Sequence, residues 1–529
     1  MFRPSPTTPL SAIQTGISNF TFERKDNEQF NYTYQSASDQ DADGPCPRLN
    51  ICMVSDFFFP GVGGVESHIY SIAQCLIKKG HKVIVIANPT GTRNGVRYLT
   101  NGVKVYYIPV FTINTPSGRA TLPFMFSLFP VLRNIFVRER IQIVHGHQCT
   151  SNMAMEALLH ARTMGLKCCF TDHSLFGFGD TAGLHINKVC KYVLADVDHI
   201  ICVSHTSREN LVMRAAVNPF FASVIPHAVD SGVFMPIPEQ SMQLRRLREF
   251  LKNPANKKSD VELTIVTVTR LAYRKGADLL VAIIPRLCEL FPKIKFVIGG
   301  DGPKKIDLEE MRERYRLEER VELLGSIPHS RVAEVIRRGQ IFINTSLTEA
   351  FCIAILEASS CGLFVVSTRV GGVPEVLPDD MCLLSDPDPD SLVQKIIIAI
   401  EQRMGTWDPE RSYQRIKSMY DWHHVATRTE NVYRKVISNR HKTLFERFQI
   451  LTTAGDFYGK FCCMMSTIDY FIYRFLEWSS PRDQIDDAID LPGDAFHEEE
   501  ELSTSKDKIN KTQEVLDILD ERKSSQEKE

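Results

Sequence analysis

From Asn50 onward, short apolar runs bounded by turn residues alternate with stretches of helical period. NICMVSD predicts a buried strand, PGVGG a glycine-bearing loop, and Ile69, Ile72, Ala73 and Leu76 one face of a helix. KKGHKVIVIA supplies the next strand, followed by KVYYIPV, QIVHGH, CCFTDH, HIICVS and ASVIPHAVD. Residues 236–261 are polar and read as a linker with room for a short helix. The alternation then restarts with LTIVTVTR, KFVIGGDG, VELLG, QIFINTS and LFVVSTR. Two successive α/β halves predict two facing, doubly wound Rossmann-like domains, 48–235 and 262–440, with a ligand cleft between them. Ligands of such sheets bind beyond the carboxyl ends of the strands. Gly63, His147, His173, Arg270, Gly302 and Glu349 all fall at such ends.

Residues 1–47 are polar, rich in Pro, Ser and Asp and without helical period, and read as a disordered extension. Asp39-Gln40-Asp41-Ala42-Asp43-Gly44 imitates the start of a calcium loop, but Asn50 stands where the bidentate glutamate belongs, which excludes calcium. Residues 491–529 are acidic, then of mixed charge, and read as a solvated tail.

The strand QIFINTS leads into LTEAFCIAILEASSCG, where Glu349 and Glu357 stand eight residues apart on an otherwise apolar stretch. Buried charge is costly unless something binds it. A helix starting just after Glu349 would aim the N–H groups of Ala350, Phe351 and Cys352 outward as an anion site, with Glu357 about a turn and a half inside. Amides for phosphate and carboxylates for hydroxyls suit a sugar–diphosphate ligand. A capping glutamate followed by a salt-bridged one is the structural alternative.

Gly63 and Gly64 allow backbone to approach a ligand and tolerate positive φ, although a tight turn explains them equally and the G-x-G-x-x-G spacing is missing. Arg270 and Lys275, five residues apart at a strand end, can clamp a diphosphate; solvent-exposed cations are the alternative. Gly299-Gly300-Asp301-Gly302-Pro303 reads as an architectural turn, and His173 on its own as a satisfied structural histidine.

Composition narrows the function classes. The 529 residues are 43% hydrophobic and 24% charged with net charge −2, which excludes the basic excess of a nucleic-acid binder. The 14 cysteines include no C-x2-C pair, so reduced cytosolic thiols fit better than a zinc ribbon or a disulfide framework. No apolar signal segment opens the chain. Of the sequons at Asn19, Asn31 and Asn344, the last ends a buried-looking strand, where a glycan conflicts with folding.

Taken together, the GGVE loop, TRL-x2-RKG, GDGP, the E-x7-E spacing and STRVGGVPEV resemble retaining glycosyltransferase family 4. The strings ICMVSDFFFPGVGGVESHIY, FTDHSLFGF, IICVSHTS and NTSLTEAFCIAILEASSCGLFVVSTRVGGVPEVLP are similar to the branch of that family that starts glycosylphosphatidylinositol-anchor synthesis. The resemblance runs from about Asn50 to about Val436, with a looser echo near WSSPRDQIDDAIDL. It implies the B-type glycosyltransferase fold and transfer of N-acetylglucosamine from UDP-N-acetylglucosamine to phosphatidylinositol with retention. It also implies membrane subunits as partners, and a place on the cytosolic face of the endoplasmic reticulum membrane.

By similarity, Gly63 and Gly64 approach the donor phosphates, while Arg270 and Lys275 neutralise the departing diphosphate. Glu357 takes the ribose hydroxyls and Glu349 the sugar hydroxyls, with Ala350, Phe351 and Cys352 in the donor site. His173 lies by the reaction centre, and no metal or other cofactor is needed. Front-face attack, with the leaving phosphate taking the acceptor proton, is the implied mechanism. His227 stands where many relatives carry Asn, and Asp230 is retained to brace the turn. Another sugar or acceptor, a non-catalytic scaffold and a nucleotide-sugar epimerase are the competing readings.

Relatives carry a membrane span near the C-terminus, but here only eight uncharged residues separate Lys460 from Asp469, against about twenty for a span. Phe461, Met464, Met465, Ile468, Ile472, Phe475 and Leu476 instead form one helical stripe, with Lys460, Thr467, Asp469, Tyr470, Arg474 and Glu477 elsewhere. Residues 441–490 are therefore expected to hold an amphipathic helix that lies on a bilayer or on a membrane protein of the complex. An ordinary docking helix is the bland alternative.

Overall fold

The computed structural model describes residues 47–489, apart from 62, 90–92, 100–101, 116–117, 122–125, 178–180 and 254–260. The N-terminal extension, the charged tail and the first two sequons lie outside the described residues. Asn344 is buried and donates its amide to Ser367 Oγ at 2.9 Å, leaving no room for a glycan.

In the first half the strands are β1 (Asn50–Val54), β2 (Lys82–Ala87), β3 (Gly95–Tyr98), β4 (Lys104–Tyr107), β5 (Thr112–Thr115), β6 (Gly118–Thr121), β7 (Ile143–His147), β8 (Lys167–Asp172), β9 (His199–Cys202) and β10 (Ala222–Val224). Eight of them form a sheet in the order β10-β9-β8-β7-β1-β2-β4-β3, and β5 pairs with β6 in a separate hairpin. Every pairing in the large sheet is parallel except β3 on β4. The second half contributes β11 (Thr264–Val268), β12 (Lys295–Gly299), β13 (Val321–Gly325), β14 (Ile341–Asn344), β15 (Phe364–Thr368) and β16 (Cys382–Ser385). These form a parallel sheet in the order β13-β12-β11-β14-β15-β16. Central strands such as β1, β7, β14 and β15 are buried almost throughout, as continuous apolar runs require when helices cover both faces.

Each sheet reverses its winding once. The reversal falls between β1 and β7 in the first sheet and between β11 and β14 in the second. A crevice opens at the carboxyl end of such a switch point. The loop to Gly63 follows β1, and His147 ends β7; Arg270 follows β11, and Glu349 follows β14. The topology thus delivers the candidate residues to two crevices.

Two expectations need correction. The supposed linker is mostly a helix, Pro238–Lys252, because Leu244 and Leu247 fall on one face and are buried, and Gln240 accepts the Ile237 N–H at 3.0 Å in the first turn. The helix Trp422–Ser438, assigned by position to the second domain, packs on the first. Its Tyr433 hydroxyl meets His145 Nδ1 at 2.6 Å, and its Glu430 pairs with Lys79 at 2.8 Å.

The helix Asp456–Ser479 also docks on the first domain, through its small and polar side and not through its apolar stripe. The buried side is small and polar: Gly459, Cys462, Ser466 and Asp469. Asp469 is fully buried, 2.7 Å from His160 Nδ1, and accepts a bond from the Thr163 hydroxyl. Phe457, Phe461, Met464, Ile468, Phe471, Phe475 and Trp478 face outward. None of the helices described is long and apolar enough to cross a membrane.

Asp469→Ala leaves the buried His160 Nδ1 without its partner and the Thr163 hydroxyl with only the Leu159 carbonyl at 3.3 Å, so denaturant unfolding is expected to show a loss of about 1–3 kcal/mol. Asp469→Asn should lose less. A change within roughly 0.5 kcal/mol for the alanine variant would show that this anchor does not hold the helix.

Candidate active site

The segment after β14 is pinned before it becomes helical. Leu347 N–H bonds Arg274 O at 2.9 Å, and the Thr345 hydroxyl bonds Lys275 O at 3.1 Å. Glu349 O accepts the Gly372 N–H at 3.0 Å, and Ala350 O accepts the Ser204 hydroxyl of the first domain at 2.6 Å. With those carbonyls committed, a helix cannot start at Ala350. Cys352 takes a left-handed conformation (φ 74°), and the helix runs from Ile353 to Ser360. Ala350 and Phe351 are instead buried beneath the segment. The first-turn amides that face outward are therefore those of Ile353 and Ala354, not the three expected. A Cβ on Gly64 would lie 3.0 Å from Ile353 Cδ1, so the glycine loop of the first domain abuts this helix mouth.

The two glutamates live in different surroundings. Glu349 Oε1 accepts the Ser346 hydroxyl at 2.9 Å and forms an ion pair with Lys275. Glu357, one turn into the helix, is only partly exposed and has no side-chain hydrogen bond or ion pair among the described residues. Burial pushes its carboxyl up to about 7. The salt-bridged alternative thus applies to Glu349, while Glu357 is an acceptor without a donor among the described residues.

The basic pair is asymmetric as well. Arg270 is exposed, whereas Lys275 is partly buried in the single turn Tyr273–Lys275. Burial opposes the Lys275 charge, but Glu349 outweighs it and holds the ammonium above its ordinary range. Gly300 and Gly302 lie against the carbonyls of Thr269 and Leu271, so the GDGP turn braces the loop that carries Arg270. That is the architectural role expected of it.

Gly63 is extended (φ −180°), so its φ does not require glycine. A Cβ there would sit 2.4 Å from Glu66 Oε2, the far end of a flexible side chain, and would displace that carboxylate. Glu66 drew no attention in the sequence, although it stands inside GGVE. Burial raises its pKa, and the Arg270 charge across the cleft opposes that rise.

His173 belongs to a cluster of imidazoles on the first domain. Its Nε2 lies 3.3 Å from His147 Nδ1, and its Nδ1 lies 3.3 Å from His227 Nε2. His227 Nδ1 in turn lies 3.0 Å from His68 Nδ1. Burial drives all four rings toward the neutral form, His68 to about 3. Asp230 caps its own turn by accepting the Gly232 N–H at 2.9 Å.

Two parallel sheets facing across a cleft, with acidic and basic groups at one switch point and a glycine loop at the other, are the frame of a B-type glycosyltransferase. Sucrose-phosphate synthase from Thermosynechococcus elongatus shares it, with TM-score 0.57 at 20% identity over 74% of this chain and 100% of that one. The profile for glycosyl transferases group 1 matches residues 248–418, and that described as PIGA (GPI anchor biosynthesis) matches residues 89–180. A phosphatidylinositol N-acetylglucosaminyltransferase subunit from Arabidopsis thaliana is 50% identical over 447 residues, 84% of this chain and 95% of that protein. Its Homo sapiens namesake is 49% identical over 447 residues, covering 84% and 88%. The chain belongs to this family of phosphatidylinositol N-acetylglucosaminyltransferase subunits.

Glu357 gives a pH signature. Its folded pKa lies above the unfolded carboxylate value, so its contribution to stability is greatest at low pH and falls as pH rises from about 4.5 toward 7. Relative to wild type, ligand-free Glu357→Gln should therefore gain stability across that window in denaturant titrations. A wild-type minus variant difference that does not vary with pH would exclude a raised Glu357 pKa.

Proposed function

We propose that this chain transfers N-acetylglucosamine from UDP-N-acetylglucosamine to phosphatidylinositol with retention, the first step of glycosylphosphatidylinositol-anchor synthesis. The observation that carries this reading is the likeness to proteins named for that transfer over most of both chains. The site supports it. Glu357 lacks a donor among the described residues and is available to ribose hydroxyls, and Glu349, held by Lys275, presents its remaining acceptor capacity to the sugar. Arg270 and Lys275 counter the charge that grows on the departing diphosphate, and the Ile353 and Ala354 amides add donors. That phosphate takes the acceptor proton in a front-face attack. His173 lies on the first-domain side of the cleft, near the anomeric carbon.

The reading extends to location. The outward aromatic face of Asp456–Ser479, with exposed Lys460 and Arg474 beside it, suits the interface of an anionic bilayer. We place the chain on the cytosolic face of the endoplasmic reticulum membrane, working with membrane subunits of a transferase complex.

Membranes containing the chain and its partner subunits, given labelled UDP-N-acetylglucosamine and phosphatidylinositol, should form a labelled glycolipid. No label above that of a Glu349→Ala, Glu357→Ala control would overturn the reading. Glu357→Ala is expected to weaken donor binding by roughly 1–3 kcal/mol, about 5- to 150-fold. Arg270→Ala with Lys275→Ala should instead lower kcat more than donor affinity. Equal loss of affinity and kcat/KM at unchanged kcat would assign the pair to ground-state binding.

A further inference from the structure

The imidazole cluster has more structure than one residue beside a reaction centre needs. His68 comes from the helix Gly64–Lys78, His147 from the end of β7, His173 from the loop after β8, and His227 from the loop after β10. One ring nitrogen from each of His68, His147 and His173 lies within 4.8 Å of the other two. His68, His147 and His227 are at most 4% exposed, and His147 Nε2 is buried with no hydrogen-bond partner among the described residues. Among the described residues, no carboxylate or cation bonds any of the four rings. Their other ring neighbours are Trp422 at 5.5 Å from His68, Phe351 at 5.5 Å from His227 and His145 at 4.2 Å from His147.

Of the proposed ligand nitrogens, His147 Nδ1 and His173 Nε2 lie 3.3 Å apart, and the set of three lies within 4.8 Å. A tetrahedral ion with metal–nitrogen bonds of about 2.0–2.1 Å keeps its ligand atoms about 3.3–3.4 Å apart, a spacing the His147–His173 pair already has and one that the His68 ring would complete by closing in on the ion. Neutral imidazole is the form that ligates, so no proton need be displaced from these rings. An all-nitrogen set rejects magnesium and calcium, which take oxygen ligands, and suits zinc and its first-row neighbours.

We propose that His68, His147 and His173 form a binding site for a divalent transition-metal ion of the zinc class, with His227 steadying the second nitrogen of His173. All the ligands belong to the first domain, so the ion ties its strand-end loops together. It does not replace the Arg270–Lys275 pair of the second domain. Metal independence, as the family resemblance implies it, concerns the diphosphate; this ion sits on the opposite wall.

The test uses the purified full-length chain after chelator treatment, and no step of it depends on transferase activity. Cobalt(II) titration should give the intense visible bands of a four-coordinate ion at one equivalent, and zinc should abolish them at one equivalent. His68→Asn and His147→Asn, checked for folding by circular dichroism, should each lower cobalt affinity at least about tenfold, as loss of a coordination partner does. His199→Asn, whose ring meets Ser223 Oγ at 2.7 Å on a different part of the sheet, should bind as wild type does. X-ray absorption at the zinc edge of the wild type needs no variant and should read three or more nitrogen ligands near 2.0–2.1 Å. Absence of the cobalt bands, a sulfur shell, or bands that survive in folded His147→Asn would overturn the site.

Discussion

The glutamate segment is clamped between glycines, and that close backbone approach is the constraint on which the site depends. A Cβ on Gly276 (φ +69°) would fall 1.7 Å from Thr345 O. One on Gly371 would lie 2.1 Å from Glu349 O, and one on Gly372 would lie 2.1 Å from Ala350 O. No side chain fits in those gaps, so backbone packs on backbone along both sides of Thr345–Ala350. The same contacts fix Lys275 beside Glu349 and commit the Glu349 and Ala350 carbonyls before the helix can use them. The left-handed turn at Cys352 follows, and with it the position of Glu357. Ser204 and Glu375 then carry the clamp across to the first domain, where Glu375 accepts the His205 and Thr206 N–H groups at 2.6 and 2.9 Å.

Charge is distributed unevenly around this clamp. On the second-domain wall a cation and a carboxylate neutralise each other at Lys275–Glu349, leaving exposed Arg270 to face Glu66 across the cleft. Glu357 lies near the midpoint of its titration at neutral pH, because burial penalises its charge and no donor among the described residues offsets that. Beyond Glu66, the first-domain floor is built of imidazoles that burial drives toward the neutral form. Such a cleft gains most from a ligand that brings its own hydroxyl donors to one end and negative oxygens to the other. On the second-domain wall, open hydrogen-bonding capacity lies at Glu357 and the Ile353–Ala354 amides.

Much of this was legible in the residues. The core strands of both halves were, because buried parallel strands are written as continuous apolar runs. Four strands were missed, β3, β5, β6 and the edge strand β16: every residue of Gly95–Tyr98 is exposed, and such a strand has no apolar run to announce it. Glycine and carboxylate motifs at strand ends located the cleft, since topology alone brings those ends together. The helix start was misplaced by three residues because it depends on Gly372 and Ser204, which are remote in sequence. Glu66 was overlooked because a glutamate in a helix's first turn is ordinary in sequence; only Arg270 across the cleft gives it meaning. The histidine cluster shows the same limit, with its members 159 residues apart at the His68–His227 contact.

The C-terminal helix shows why periodicity alone could not orient it. Its heavy apolar side chains form a stripe, and a stripe is normally the buried side. Here the first domain offers a polar seat instead: His160 and Thr163 reach Asp469, Tyr192 reaches Ser466 at 3.1 Å, and Arg133 reaches Glu477 at 2.8 Å. Nearby, Glu156 is buried with both carboxylate oxygens unpartnered among the described residues and a pKa pushed up to about 8 by burial, with Asp56 and Asp469 adding to the rise. A protonated Glu156 keeps this seat from accumulating negative charge beside Asp469. Once the small and acidic side of the helix is matched to that seat, the aromatic side has only one direction left, outward. The apolar face exposed to solvent is therefore a consequence of how the helix is anchored rather than a failure of packing, and a hydrophobic surface outside the chain is what it remains complementary to.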